Sequence, residues 1–202
     1  MKRPSQWPIT AVADNFGITL APLCEDQLVL WLDTLLAWNA RLDLTAARTV
    51  NELVDLMLAD AFAVAKTIPE GASLVDVGAG AGAPGLALAI VRPDLKVTLV
   101  EPLTKRVSFL RTVLGKLGRT DVLLVRAHAE DVTMHFDVAI SRATLPPSVW
   151  LSLGLSLADR VWVLLAKDDA PFHPRAEIVQ ELAYQWPLTG APRRMVGYRT
   201  TE

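Results

Sequence analysis

One cysteine, Cys24, stands in 202 residues. A single thiol excludes an intramolecular disulfide and a multi-cysteine zinc site, and it fits a reducing, cytosolic setting. Long apolar runs are also missing. No stretch of about 18 residues is free of charge, so no transmembrane helix is expected. The amino terminus, Met1-Lys2-Arg3-Pro4-Ser5-Gln6-Trp7-Pro8, begins with charge, and no long apolar run with a small-residue cleavage site follows. No signal peptide is therefore expected. Nor is there an excess of one charge: 20 Lys+Arg against 22 Asp+Glu leave a net −2. That excludes a histone-like cationic binder while allowing a local basic face. Internal repeats and low-complexity tracts are absent. What is present is 51% hydrophobic and 21% charged, enough to bury a sizeable core in one ordinary domain with a small appendage.

The chain changes style near residue 70. Before it, Leu28, Trp31, Leu32, Leu35 and Leu36 recur three and four apart over 26–42, and Leu53, Leu56, Met57, Ala61 and Val64 do so over 51–68. Both stretches predict helices with one buried stripe. After Pro69-Glu70-Gly71, short apolar runs at 73–78, 96–100, 121–125, 136–140 and 160–165 predict strands. Helices are expected between them at 86–91 and 105–117, the second stopped by Gly118. A last strand near 195–200 is expected at the sheet edge. Strands alternating with helices imply a Rossmann-like, doubly wound, mostly parallel α/β sheet. Residues 1–70 are read as a helical cap and 71–202 as the core it packs on, with no Gly/Ser linker between them.

The densest motif is Asp76-Val77-Gly78-Ala79-Gly80-Ala81-Gly82-Ala83-Pro84-Gly85. A strand ends in alternating glycines and a helix follows, the place where open α/β sheets bind ligands. Gly78-x-Gly80-x-x-Ala83 also satisfies a dinucleotide fingerprint, and Glu101 could hold ribose hydroxyls of a dinucleotide or of S-adenosylmethionine. Asp76 separates the two. A carboxylate repels a pyrophosphate but suits a ligand with a cationic amino-acid end, so the sequence favours a methyl donor over a nicotinamide cofactor. The alternative for Asp76 is a carboxylate that braces the loop. Gly78, Gly80, Gly82, Ala83, Asp76 and Glu101 are the candidate cofactor residues. His128, His135 and His173 are scattered and read as surface or loop residues, and no metal site is expected.

With these residues in place, the chain resembles the ribosomal RNA small subunit methyltransferase G family, also known as glucose-inhibited division protein B. The likeness runs from about Leu20 to Lys167. It rests on Trp38-Asn39-Ala40-Arg41-Leu42-Asp43-Leu44-Thr45, Asn51-Glu52, Asp60, the glycine loop with its Pro84-Gly85, Arg92-Pro93, Lys105-Arg106, Phe109-Leu110-Arg111, Ala129-Glu130 and Ile140-Ser141-Arg142-Ala143. The resemblance implies an S-adenosylmethionine-dependent, cytoplasmic enzyme that methylates N7 of a guanine in 16S ribosomal RNA, acting on the RNA or the small subunit. It adds Ala129, Glu130 and Arg142 to the cofactor residues, with Arg142 also a candidate for positioning, and it marks Asn39 and Lys167 for substrate.

The chain departs from the family pattern at Leu56-Met57, where an Arg-His pair is usual, and at Ala61, His128 and Asp168. These departures motivate a second expectation, a small heterocyclic acceptor on the same scaffold. A nicotinamide oxidoreductase and a non-enzymatic cofactor-binding regulator are the remaining alternatives. Lys105, Arg106, Arg111, Lys116 and Arg119 carry five cations with no acid between Glu101 and Asp121, a candidate phosphate-binding face. Arg193, Arg194 and Arg199 add charge near the end. Guanine N7 carries a lone pair and no proton, so no general base is required and none is assigned; catalysis would come from positioning.

Overall fold

The computed structural model describes residues 6–201; the first five residues of the charged amino terminus and Glu202 lie outside them. The chain runs α1 (Ile9–Asn15), α2 (Pro22–Leu42), α3 (Val50–Val54), a π-helical turn (Asp55–Ala59), α4 (Asp60–Ala65), β1 (Ser73–Val77), α5 (Gly85–Val91), β2 (Lys96–Val100), α6 (Thr104–Leu117), β3 (Leu123–Val125), a 3-10 turn (Ala129–Asp131), β4 (Phe136–Ser141), α7 (Pro147–Leu157), β5 (Ala158–Leu165), β6 (Ala176–Gln185) and β7 (Pro192–Thr200). The strands form one seven-stranded sheet in the order β3-β2-β1-β4-β5-β7-β6. The first five are parallel, and β7 runs antiparallel to both β5 and β6. Strand order reverses between β1 and β4, which opens a crevice above their carboxyl ends.

The α/β architecture follows the apolar pattern of the sequence. The helix expected at 26–42 begins four residues earlier, with Pro22 in its first turn, where a missing N–H costs nothing. The helix expected at 51–68 is interrupted by the π-helical turn at Asp55–Ala59. The strand expected at the edge, 195–200, lies inside the sheet, because β6 adds outside it. That strand escapes a sequence reading since both its faces are largely exposed, which leaves no alternation to see. Helix α7 escapes for another reason. Leu151-Ser152-Leu153-Gly154-Leu155-Ser156-Leu157 alternates like a strand, yet Trp150, Leu151, Gly154 and Leu157 are the buried positions, at helical spacing. A Cβ at Gly154 would stand 2.6 Å from Val161 Cγ1, so α7 packs tightly on β5.

The cap shares its core with the sheet. Trp31, Leu35 and Phe62 of the cap lie in one apolar cluster with Leu74, Leu86, Leu99 and Phe109. Trp38 packs edge-on to Phe109 at 5.7 Å between centroids, and Trp31 Nε1 donates to the carbonyl of Ala81 in the glycine loop at 3.0 Å. Helices α5 and α6 join the cap on this face, while α7 covers part of the other. No described helix is long and apolar enough to cross a membrane.

Candidate functional site

The glycine loop turns where β1 ends. Gly78, Gly80 and Gly82 have φ of 74°, 58° and 105°, a region other L-residues rarely enter. Gly78 has a second constraint: a Cβ there would stand 2.2 Å from Thr144 Oγ1. The N–H groups of Gly78 and Ala79 both donate to the Val100 carbonyl, at 2.8 and 3.0 Å, which ties the loop to β2.

Two carboxylates lie behind this loop. Asp76 is wholly buried. Its Oδ2 accepts from the Gly85 N–H at 2.8 Å, while Oδ1 has no hydrogen-bond partner. Gly85 must be glycine for room, since a Cβ would meet Asp76 Cβ at 2.6 Å. Burial pushes the Asp76 carboxyl up to about 7, against the Gly85 N–H and the charge of Arg142, with Glu101 adding to the rise. The bracing arrangement is thus present, and one oxygen is left over. Glu101 is 1% exposed. It accepts from the Gly80 N–H and the Leu103 N–H, each at 2.9 Å, with Arg106 3.9 Å away. A carboxylate offers about four lone-pair sites, so two remain for a ligand.

Two openings flank Gly78 and Thr144. A cleft of about 350 Å³ is walled by Gly78, Gly80 and Ala83, by Leu44–Ala46 and Met57 of the cap, and by Arg106, Arg142 and Thr144. A smaller recess, about 90 Å³, is lined by Val77, Val100, Pro102, His128, Ala129 and Glu130. The apolar recess suits a flat ring, the glycines let a ligand reach main chain, and the unpartnered Asp76 oxygen suits a cation. The residues therefore fit a nucleoside with a cationic amino-acid end.

The family description rRNA small subunit methyltransferase G matches residues 24–169. The chain belongs to this family. It is 34% identical over 194 residues to ribosomal RNA small subunit methyltransferase G of Myxococcus xanthus, covering 89% of each chain. It is 36% identical over 151 residues to that of Clostridium beijerinckii, covering 71% of this chain and 63% of the relative's length. A solved structure of coclaurine N-methyltransferase bound to N-methylheliamine and SAH superposes with a TM-score of 0.59 at 10% identity, over 95% of this chain and 93% of that one. The protein is an S-adenosylmethionine-dependent methyltransferase with the class I fold.

The other sequence-predicted residues of the methyltransferase fall in different places. Ala129 and Glu130 line the recess, in the 3-10 turn. Asn39 braces the cap loop: its Oδ1 accepts from Leu44 N–H and Thr45 N–H at 2.6 and 2.9 Å. It shapes the cleft wall and does not line the cleft. Lys105, Arg111 and Lys116 are exposed on α6, and Lys167 is exposed beyond β5. Arg119 is not a free cation, since it holds Asp121 at 2.6 Å and the Ala89 carbonyl at 2.7 Å.

Arg142 joins cap to core. It donates to the carbonyl of Leu56 in the π-helical turn, a turn whose hydrogen-bond register departs from the α-helical one, and to Asp60 Oδ2 at 3.4 Å. Asp60 Oδ1 accepts from Tyr184 Oη at 2.7 Å and Trp186 Nε1 at 2.8 Å. Burial first, and then Asp60, push the Tyr184 phenol upward, so it stays a donor. Arg193 stacks over Trp186 at 3.7 Å. Asp55 closes the same junction by accepting from Leu188 N–H, Thr189 N–H and Thr189 Oγ1 in the β6–β7 turn.

This junction walls a second cavity of about 220 Å³, which shares Leu56, Arg142 and Ala143 with the cleft. Sequence reasoning misses Asp55, Trp150, Tyr184 and Trp186, and it places Arg193 only among the cations near the end of the chain. The one available signal is Tyr184 and Trp186, two aromatics two residues apart and therefore on one face of a strand.

Proposed function

We propose that the protein methylates N7 of a guanine in 16S ribosomal RNA, in the cytoplasm, with naked RNA or the small subunit as its partner. Family membership across residues 24–169 carries the substrate class. The cleft carries the chemistry. S-adenosylmethionine, when bound, supplies a sulfonium-activated methyl group. Gly78, Gly80, Gly82 and Ala83 are assigned to its amino-acid end, with Asp76 behind them as the counter-charge. Glu101 is assigned to the ribose, and Ala129 and Glu130 to the adenine recess. Guanine N7 has no proton to lose, so the residues need only hold the reactants in line and exclude water. Arg142 positions the wall between donor and acceptor.

The exposed cations Lys105, Arg111 and Lys116 on α6 are assigned to phosphates, with half-buried Arg106 at the cleft mouth. A small heterocyclic acceptor is not favoured, because relatives 34% and 36% identical to this chain carry the ribosomal RNA name. The experiment is methyl transfer from labelled S-adenosylmethionine to small ribosomal subunits, and to their naked RNA, from cells lacking the mark. Incorporation mapped to one guanine N7 is the expected result. Transfer to a free heterocycle with none to RNA overturns the reading.

A further inference from the structure

Of the residues assigned to the cofactor, only Arg142 lines the cavity beyond it. We propose that it is the acceptor pocket, that it takes one guanine extruded from its RNA strand, and that Asp60 selects that base. The inference rests on the methyltransferase reading above and adds where the base sits and what recognises it.

Its place is the first argument. The cavity is bounded by the end of β5 and meets the glycine cleft at Leu56, Arg142 and Ala143, so a base within it has one edge toward the donor. Its walls are the second. Trp150, Tyr184 and Trp186 line it, and an enzyme that works on a base takes it out of the stack and holds it against aromatic surfaces. Asp60 is the third. It is 2% exposed; Oδ1 is filled by Tyr184 and Trp186, while Oδ2 has only the 3.4 Å contact to Arg142. A carboxylate can only accept. Guanine offers it the N1–H and the N2 amine, where adenine offers the acceptor N1. Arg193, held on Trp186 at 3.7 Å, supplies a cation for the phosphate of the same nucleotide.

In the transfer, the N7 lone pair forms the bond to the methyl carbon as the carbon–sulfur bond breaks with its pair going to sulfur. No proton moves. The positive charge passes to the guanine, within reach of Asp60.

Two variants of the full chain test this, with GMP, IMP and AMP as probes. GMP should compete with small subunits for methylation. IMP, which lacks the N2 amine, should compete about tenfold less well, and AMP least. Asp60→Asn should lose about tenfold in kcat/KM on subunits and should no longer prefer GMP to IMP. Ala166→Trp, placed at an exposed position on the cavity rim, should abolish both GMP competition and methylation. Both variants should bind adenosylhomocysteine like wild type by calorimetry. Full activity of Ala166→Trp, or an undiminished GMP preference in Asp60→Asn, overturns the pocket while the ribosomal reading stands. A wild type that methylates no RNA, yet shows GMP quenching of tryptophan fluorescence that Ala166→Trp removes, supports the pocket and overturns the ribosomal reading.

Discussion

The glycine cleft and the cavity beyond Arg142 share a wall but are assembled in different ways. The cleft is built around residues 76–85, with Glu101 reaching back 21 positions to Gly80. The cavity depends on Asp60 meeting Trp186 across 126 positions and Asp55 meeting Thr189 across 134. The first is held by main chain and by glycines with no side chain to lose. The second is held by side-chain hydrogen bonds between a cap turn and a C-terminal hairpin. A substrate site built this way can change its polar partners without touching the cofactor cradle.

Gly78→Ala should separate the two regions most sharply. The new Cβ falls 2.2 Å from Thr144 Oγ1 and 2.9 Å from Thr144 Cβ, at a φ of 74°. Calorimetry should show adenosylhomocysteine affinity reduced roughly tenfold to a hundredfold. Adding Thr144→Gly should recover part of the loss, and the cavity beyond Arg142 should be untouched. Unchanged affinity in Gly78→Ala would mean that the ligand does not pass over this glycine.

Asp55→Ala should strike the other region. It strands the Leu188 and Thr189 N–H groups and the Thr189 hydroxyl, donors on a half-buried and an exposed residue that can turn partly to water, a loss of about 1 kcal/mol. Urea unfolding should register that cost, and amide exchange should quicken in the β6–β7 turn. Burial holds the Asp55 carboxyl above its ordinary range, against the hydrogen bonds it accepts from Thr189 and Leu188. Adenosylhomocysteine binding should stay intact. If it fell as far as stability did, the two regions would not be separable.

The same contrast decides what could be read from sequence. Asp76, Gly78, Gly80 and Gly85 declare themselves because their constraint is local: a tight turn, a close approach, a carboxylate two residues before a glycine. The inner parallel strands β1, β2, β4 and β5 declare themselves because most of their residues are buried on both faces. Tyr184 and Trp186 do not, since their meaning lies in Asp60, and nothing in the run 176–185 announces a strand. Asn39 is legible as a motif, and the N–H groups its Oδ1 accepts from, those of Leu44 and Thr45, lie within that same motif. Arg119 looked like one more phosphate-binding cation until the fold brought it onto Ala89 and Asp121. Local torsion and burial are written in sequence; which side chain closes on which is set by the packing of distant segments.

A gentler probe is pH. Asp76 is raised from 3.8 to about 7, mainly by burial. Its folded value lies above its unfolded one, so between those two values the folded chain holds the extra proton. Stability must then fall as pH rises through that window, by at most about 1.4 kcal/mol per pH unit, and level off above it. Asp55 shifts in the same direction, so the diagnostic is the difference between wild type and Asp76→Asn, which should lose part of the slope. The ligand should show the opposite trend. Its ammonium favours the ionised carboxylate, so adenosylhomocysteine should bind more tightly at about pH 8 than at about pH 6, and Asp76→Asn should flatten that dependence. If wild type and Asp76→Asn give parallel curves in both measurements, the free Asp76 oxygen braces the loop and faces no cation.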